Sequence, residues 1–188
     1  MRCFLAVPLA EPGLAAAQRL QLGLRERVAD VRWTRPETLH LTVHFFGQID
    51  DTRVTTALDV VGPVASRTRP FEVVLDRLGT FPPRGMPRVL WLGPSRDVVP
   101  LTVLALECRT VLGAAGFEVD ARRYNPHCTF GRPRLPWSPA ARTAWDVTVA
   151  GIHDAITFTA SRLVLYESRP APGGAVYTEY ASLPFSDA

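Results

Sequence analysis

The sequence predicts an α+β protein with two similarly built halves. Three helical patterns and at least seven strand-like segments alternate along the chain, joined by strand-helix-strand connections and by hairpins. A histidine-x-threonine pattern occurs once in each half, at His40–Thr42 and at His127–Thr129. With 188 residues, of which 47% are hydrophobic, the chain can bury a core, and we expect residues 1–188 to form a single domain.

The first half begins with a predicted strand and a predicted helix. Residues 2–9 form an apolar run typical of a buried strand, and residues 11–29 carry leucines at an imperfect helical spacing. Residues 31–35 then lead in extended form to Pro36, because the residue before a proline favours β geometry. We predict residues 38–47 to be the next strand.

Residues 38–47 alternate strictly between two sets of side chains. These sets are Leu39, Leu41, Val43 and Phe45, and His40, Thr42, His44 and Phe46. A period of two is typical of a half-buried strand, in which side chains two residues apart share a face. His40 and Thr42 are therefore expected to point an imidazole and a hydroxyl into one space, with His44 farther along the same face. His127 and Thr129 repeat this spacing.

Between the two motifs the sequence predicts a helix, two strands and a second helix. The first helix has N-cap candidates in residues 50–52, followed by apolar residues at helical spacing. Residues 71–78 and 88–92 are the predicted strands, on either side of a proline-rich connection. Asp97 is the predicted cap of the second helix, which ends at one of the glycines that follow.

The second half is predicted to contain more strand than helix. Residues 117–120 and 127–130 are two predicted strands. Residues 132–152 are rich in proline and alanine and give no firm element, a short strand and an irregular loop being the alternatives. The chain closes with a predicted hairpin, which consists of strand 156–167, loop 170–174 and strand 176–183.

Several segments of the chain resemble one known family. They are Arg2–Val7, Arg32–Thr42, Pro87–Gly93, Pro126–Thr129 and Leu163–Ser168. In these segments the chain resembles the 2H phosphoesterases, and most closely the RNA 2',3'-cyclic phosphodiesterases, historically called 2'-5' RNA ligases. The chain departs mildly from the family pattern, with Val43, Phe46 and Phe130 where leucine is more frequent. The resemblance implies a bilobal fold in which each lobe contributes one histidine-threonine strand to a central cleft.

The two motifs together fit one kind of chemistry. Phosphoryl transfer to water by in-line displacement needs a base at the entering oxygen and an acid at the leaving oxygen. His40 and His127, expected on opposite walls, meet this need because histidine titrates near neutrality. The hydroxyls of Thr42 and Thr129 can donate hydrogen bonds to the non-bridging oxygens, and no cofactor or metal is required.

The resemblance adds an arginine, a substrate and an order of roles. It implies that Arg132 binds the phosphate, although a five-residue separation from His127 puts the two on one face only if the strand turns or bulges at Gly131. It also implies hydrolysis of an RNA-terminal or nucleoside 2',3'-cyclic phosphate to a 2'-phosphomonoester. His40 would then be the acid and His127 the base.

Other interpretations of the motifs compete with this one. A zinc site would need a third ligand, and threonine is a poor ligand beside each histidine. Cys128 next to His127 could be a nucleophile, but adjacent strand residues face opposite ways. Either histidine could also be structural. A non-catalytic module that binds nucleotides or RNA ends on the same fold is the alternative function.

Composition limits the remaining possibilities. All 21 basic residues are arginine, so Schiff-base chemistry and a nucleotidyl-lysine intermediate are excluded. The net charge of +3 does not by itself predict nucleic-acid binding. With no apolar run long enough to cross a bilayer and three cysteines without metal-ligand spacing, we expect a cytoplasmic monomer that does not bind membranes. His153 fits no pattern, and the aromatic candidates for stacking on a base are Trp33, Phe45, Phe81 and Trp137.

Overall fold

The fold is α+β, as the sequence predicts. A computed structural model describes residues 1–134, 136–151, 154–172 and 174–186. The helices are α1 (Gly13–Arg27), α2 (Asp51–Arg67), α3 (Val99–Ala114) and α4 (Pro139–Ala150), and a 3-10 turn spans Pro36–Thr38. The strands are β1 (Arg2–Pro8), β2 (Val31–Trp33), β3 (His40–Gln48), β4 (Phe71–Leu75), β5 (Arg77–Phe81), β6 (Val89–Gly93), β7 (Cys128–Pro133), β8 (Ile156–Ala160), β9 (Arg162–Arg169) and β10 (Val176–Pro184).

Eight strands form one sheet in the order β10-β9-β1-β3-β7-β6-β5, with β2 also paired to β7. All of its pairings are antiparallel. The motif strands β3 and β7 are neighbours at the centre, where the pairing brings Leu41 opposite Cys128. The first-half strand β3 therefore meets the second-half strand β7 at the middle of the sheet.

The helices cover one face of this sheet. Its buried side chains, including Leu5, Leu41 and Cys128, share a hydrophobic core with Leu24 of α1 and Leu104 of α3. The opposite face carries a second, smaller cluster that consists of Phe4, Ala6, Val164 and Tyr166, with Tyr177 packed against it. Since alternate residues of β1 enter the two clusters, both faces of that strand are buried.

Two predicted strands are each broken in two. The first, residues 71–78, is interrupted at Asp76, whose carboxylate accepts hydrogen bonds from the backbone and hydroxyl of Ser95 at 2.6 and 2.7 Å. The second, residues 156–167, is interrupted at Ser161, whose carbonyl accepts from the backbone N–H of Phe185 at 2.8 Å. The first pieces, β4 and β8, pair with each other in a separate two-stranded sheet. The prediction of continuous strands was wrong because the two pieces of each strand have different partners.

The predictions for three further segments also differ from the structure. Residues 117–120 form no strand, because Phe117 packs on Phe46 and Asp120 instead bonds locally to Arg122. Residues 132–152, for which no firm element was predicted, contain α4, which begins after Ser138. Asp97 is not the cap of α3: its carboxylate accepts from the hydroxyl of Thr102 at 2.7 Å, and no side chain caps that helix.

Other local predictions are confirmed. Asp50 caps α2 by accepting the backbone N–H of Arg53 at 2.8 Å. The final hairpin joins β9 to β10 in antiparallel register. Among the described residues, no helix has both the length and the apolar content that crossing a membrane requires.

Candidate active site

The sheet face that the helices leave uncovered carries a cavity of about 680 Å³. The five side chains singled out by sequence all line it, and they are His40, Thr42, His127, Thr129 and Arg132. The cavity lies over the junction of β3 and β7, where both motifs begin. The structure thus brings together two motifs that are more than eighty positions apart in the chain.

The pairing of Leu41 with Cys128 explains how the motifs face each other. Both residues are fully buried on the helix-covered side, so the residues that flank them project to the other side. Because the strands are antiparallel, this register directs His40 towards Thr129 and Thr42 towards His127. The histidine of each motif therefore lies across from the threonine of the other motif.

Both histidine rings are held in the same way. Nδ1 of His40 donates to the carbonyl of Thr38 at 2.6 Å, and Nδ1 of His127 donates to the carbonyl of Asn125 at 2.9 Å. A carbonyl oxygen can only accept, so Nδ1 carries the proton and Nε2 is the free nitrogen of each neutral ring. These carbonyls, two residues before each histidine, could not be predicted as site groups from the sequence, because main-chain acceptors have no residue signature.

Aromatic rings surround the two imidazoles. The ring of His40 lies with its centroid 4.8 Å from that of Phe4 and 5.4 Å from that of Tyr177. The ring of His127 meets Phe81 edge to face at 4.9 Å. This packing restricts the orientation of each imidazole and removes it from water.

Burial sets the protonation of the pair. It lowers the pKa of His40 to about 4. The hydrogen bond to the carbonyl of Thr38 raises this pKa, and the nearby His127 lowers it further. Burial also lowers the pKa of His127, opposed by the carbonyl of Asn125 and reinforced by Arg132. Both rings are therefore neutral at pH 7 in the free protein, and a bound anion would favour the protonated form of either one.

A β-bulge brings Arg132 into the cavity. In the β6–β7 pairing Trp91 lies opposite Thr129 and Leu90 lies opposite Gly131, so Phe130 is an extra residue in β7. The extra residue reverses the alternation of faces, and Arg132 then lines the same cavity as His127. The expectation that Arg132 reaches this face only through a bulge is confirmed, with the bulge one residue before Gly131.

A second bulge corrects the prediction for His44. In the β1–β3 pairing Leu5 lies opposite His44 and Ala6 lies opposite Thr42, so Val43 is the extra residue. His44 consequently leaves the face of His40 and is buried on the helix-covered side, where it packs against Phe46 at 4.6 Å. The prediction that His44 shares the face of His40 was wrong, because strict alternation ends at this bulge.

The bulge at Val43 also moves Phe45 away from the core. The predicted alternation puts Phe45 on the same face as Leu39, Leu41 and Val43, but Phe45 is 50% exposed and lines the cavity. Its Cα partner across the β1–β3 pair is Phe4, which lines the same cavity. The predicted strict alternation is therefore confirmed as far as Val43 and fails from His44 onwards.

Comparisons with known proteins identify the family. The model of the family described as LigT like Phosphoesterase matches residues 7–91. An RNA 2',3'-cyclic phosphodiesterase of Methanothermobacter thermautotrophicus is 30% identical over 181 residues, which cover 95% of this chain and 96% of that protein. This chain belongs to the RNA 2',3'-cyclic phosphodiesterase family. A member from Geobacillus stearothermophilus is 26% identical over 88% of this chain, which spans about half, 51%, of that relative.

Solved structures of similar proteins have the same fold. A crystal structure of a Thermus thermophilus protein superposes with a TM-score of 0.80 at 23% identity and covers 100% of both chains. E. coli LigT complexed with 3'-AMP superposes with a TM-score of 0.76 at 22% identity, over 99% of this chain and 98% of LigT. The α+β architecture with mainly antiparallel strands is thus shared with LigT-like phosphoesterases.

Cys128 lies on the helix-covered side of the sheet, away from the cavity. It is fully buried in the main core, and burial raises the pKa of its thiol to about 12. A thiol that stays protonated at neutral pH is a poor nucleophile. The geometry therefore opposes the Cys128–His127 interpretation.

Three further arginines line the cavity besides Arg132, and none of them was predicted as a site residue from the sequence. They are Arg2, Arg32 and Arg35. The salt bridges within the described part of the chain involve other arginines. Because every basic residue of this family member is arginine, residue type gave no signal for these positions. Their charge makes the cavity suited to an anion.

No group of three histidine, cysteine, aspartate or glutamate side chains that could hold a metal ion occurs among residues 1–134, 136–151, 154–172 and 174–186. His153 lies outside the described residues.

Proposed function

We propose that this protein hydrolyses RNA-terminal or nucleoside 2',3'-cyclic phosphates to 2'-phosphomonoesters, without a metal. One observation carries the proposal: two histidines with identically oriented Nδ1 atoms and two motif threonines line one arginine-rich cavity. Such a site supplies a base, an acid and donors for a phosphate. Family membership supports the same activity, since the relative from Methanothermobacter thermautotrophicus is named for it.

The two histidines carry the proton transfers in this proposal. Nε2 of His127 accepts a proton from water as the water oxygen bonds to phosphorus. The bond from phosphorus to the 3' oxygen breaks, and Nε2 of His40 donates its proton to that oxygen. The phosphate then remains on the 2' oxygen. The two Nδ1 bonds to carbonyls support these roles, because they stabilise each imidazolium when it forms.

The remaining site residues act on the phosphate. The hydroxyls of Thr42 and Thr129 donate to the non-bridging oxygens, and Arg132 stabilises their charge. Entry of this anion raises the pKa of the histidine pair from the low values of the free protein, so that the acid is protonated once substrate is bound.

The same proposal covers the organisation of the protein. The half-sheets on either side of the Leu41–Cys128 pair act as two lobes of one domain spanning residues 1–188, with the cleft between them. Each chain contains a full set of proposed site residues and works as a monomer. A cytoplasmic location fits its three unpaired, buried cysteines. The substrate is of nucleotide size, and E. coli LigT, which shares this fold, has been crystallised with 3'-AMP.

Incubation of the purified protein with adenosine 2',3'-cyclic phosphate and excess chelator tests the proposal. The expected product is adenosine 2'-phosphate, identified by comparison with authentic 2' and 3' isomers. The double variant His40→Ala, His127→Ala is the negative control. Binding without turnover would favour the non-catalytic binding module. Activity that disappears with chelator and returns with one divalent ion would refute the metal-free mechanism.

A further inference from the structure

Gln21 of α1 is a fully buried polar residue with hydrogen-bond partners at both ends of its amide. Its Nε2 donates to the carbonyl of Thr34 at 2.9 Å and to the carbonyl of Phe130 at 3.0 Å. Its Oε1 accepts from the guanidinium of Arg25 at 3.1 Å, which fixes the orientation of the amide. A buried amide is costly where an apolar side chain could fill the same space. The three bonds therefore indicate a role for Gln21 beyond the packing of α1.

The two carbonyls lie where β7 changes its partner strand. At Cys128 β7 pairs with β3, and from Gly131 onwards it pairs with β2. Phe130, the extra residue of the bulge in β7, lies between these two pairings. Its carbonyl also accepts from the backbone N–H of Thr34 at 2.8 Å. Gln21 thus joins the bulge to the residue that follows β2.

Electrostatic repulsion acts against this junction. The register of β2 and β7 puts Arg32 directly opposite Arg132, and both side chains line the cavity. Like charges directly opposite each other on neighbouring strands are destabilising. Since β2 has only three residues, its pairing with β7 offers few hydrogen bonds to resist separation. The amide of Gln21 adds two hydrogen bonds at this point, from the helix-covered side of the sheet.

We propose that Gln21 is a positioning residue whose amide holds the bulge of β7 against the end of β2, so that Arg132 lies in the cavity with His127. Without the bulge, alternation along β7 would turn Arg132 to the helix-covered side. This inference rests on the proposed function only for the task of Arg132, which is to bind the phosphate. Burial and, after it, the charge of Arg132 lower the pKa of His127 in the free protein. The position of Arg132 can therefore be measured without substrate.

NMR titration of the His127 ring in four proteins tests the proposal. They are the wild type, Gln21→Met, Arg132→Met and the double variant. Methionine is unbranched and adaptable like glutamine but has no donor, so Gln21→Met removes both bonds to the carbonyls and retains packing. We expect the pKa of His127 to rise in Gln21→Met, because Arg132 moves away, and to rise in Arg132→Met. The double variant should titrate like Arg132→Met, because Gln21 acts through Arg132.

The affinity of the same four proteins for adenosine 2'-phosphate is a second measurement. Loss of one charged hydrogen bond weakens binding by about 10- to 150-fold, which we expect for Arg132→Met. Gln21→Met should weaken binding by about fivefold or more, up to the effect of Arg132→Met, and by less than about twofold in the Arg132→Met background. An unchanged affinity of Arg132→Met, together with a raised pKa of His127, would refute the phosphate-binding task of Arg132 and support its positioning by Gln21.

Asp50→Ala is the matched control, because it removes the hydrogen bond that caps α2 and destabilises the fold outside the cavity. It should change neither the pKa of His127 nor the affinity. Gln21→Leu is a second variant without donors, and all measurements contain sucrose, which favours the folded state.

Three outcomes would overturn the inference. The first is a pKa of His127 that is unchanged in both Gln21 variants. The second is an effect of Gln21→Met that persists in full in the Arg132→Met background. The third is failure of both Gln21 variants to fold in sucrose, which would show that the amide supports the whole fold and not the position of Arg132 in particular.

Discussion

The hydroxyl of Tyr124 donates a hydrogen bond to the main-chain carbonyl of Thr42 at 3.0 Å. Tyr124 lies three residues before His127, whereas Thr42 belongs to the first motif, so this bond joins the segment that leads into the second motif to the first motif. The ring of Tyr124 is buried, with the guanidinium carbon of Arg109 5.6 Å from its centroid. Tyr124 is therefore placed to fix the separation of the two histidine-bearing segments.

Removal of this hydroxyl should affect catalysis more than binding. Tyr124→Phe loses one neutral hydrogen bond, and we expect a cost of about 1 kcal/mol in the free energy of unfolding. We also expect kcat to fall roughly tenfold with little change in KM, because small displacements of reacting groups reduce rate strongly. Tyr180→Phe, at an exposed tyrosine on β10, is the control. An unchanged kcat at a temperature where both variants are folded would contradict the positioning role.

The roles of the two histidines can be separated with a substrate analogue. A cyclic phosphate with a good leaving group at the 3' position needs no general acid. On this analogue kcat/KM of His40→Ala should return to within about tenfold of the wild-type value, whereas His127→Ala should stay reduced by about a hundredfold or more. Rescue of both variants equally, or of His127→Ala alone, would reverse or remove the assignment.

The two threonines should each contribute to transition-state stabilisation. Thr42→Ala and Thr129→Ala each remove one donor to the phosphate, and we expect kcat/KM to fall by an amount equivalent to about 2 to 4 kcal/mol at most. Thr42→Ser and Thr129→Ser keep the hydroxyl and should retain most activity. Alanine variants with wild-type kinetics on the cyclic phosphate would show that these hydroxyls do not contact it.

The pH dependence of kcat/KM should reflect the low pKa values of the free protein. The productive form has one histidine protonated and the other neutral, and burial lowers the pKa of both His40 and His127 below 6.5. The fraction in this form is largest between the two pKa values and decreases above both of them, so kcat/KM should peak below pH 6.5 and decline at higher pH. The profile of kcat should lie at higher pH, since bound phosphate favours protonation. A kcat/KM maximum above about pH 7 would contradict this prediction.

His44 should make the fold sensitive to acid. Burial lowers the pKa of His44 to about 4; the charge of Arg109 lowers it further, and the charge of Asp120 raises it. Nε2 of His44 has no hydrogen-bond partner among the described residues. Between pH 6.5 and about 4 the unfolded chain binds a proton that the folded chain does not, so stability falls as pH is lowered. The loss should be up to about 3 kcal/mol for this residue. Denaturant unfolding of His44→Gln at about pH 7 and about pH 4.5 should show a smaller decrease than the wild type, and an equal decrease would exclude His44 as its source.

The sequence alone determined the side chains at the centre of the site. His40 with Thr42, and His127 with Thr129, lie on one face of their strands because alternation is a local property over two residues. Asp50 was likewise predictable as a cap, since its bond to the N–H of Arg53 spans only three residues. Such features need no knowledge of a partner strand.

The broken strands needed more than local pattern. Residues 71–75 and 156–160 are each separated from the next strand by a single residue, Asp76 or Ser161, yet they pair with each other in a sheet of their own. Helix α4 was hidden by the proline and tryptophan content of its region, although Ser138 caps it by accepting from the backbone N–H of Ala141 at 3.2 Å. Its Trp145 is 2% exposed, so burial in the core stabilises a helix that local propensity did not predict.

Only the tertiary structure decided which residues join the motif side chains. Arg132 and Phe45 lie on the cavity side of the sheet, and His44 lies on the helix-covered side. The cause is one bulge in β7 at Phe130 and one in β3 at Val43. A bulge exists only in the register between two strands, so a single strand's sequence carries no direct record of it. The sequence therefore determined the residue types of the proposed catalytic groups and their local faces, whereas strand pairing determined which arginine and which aromatic ring lie beside them.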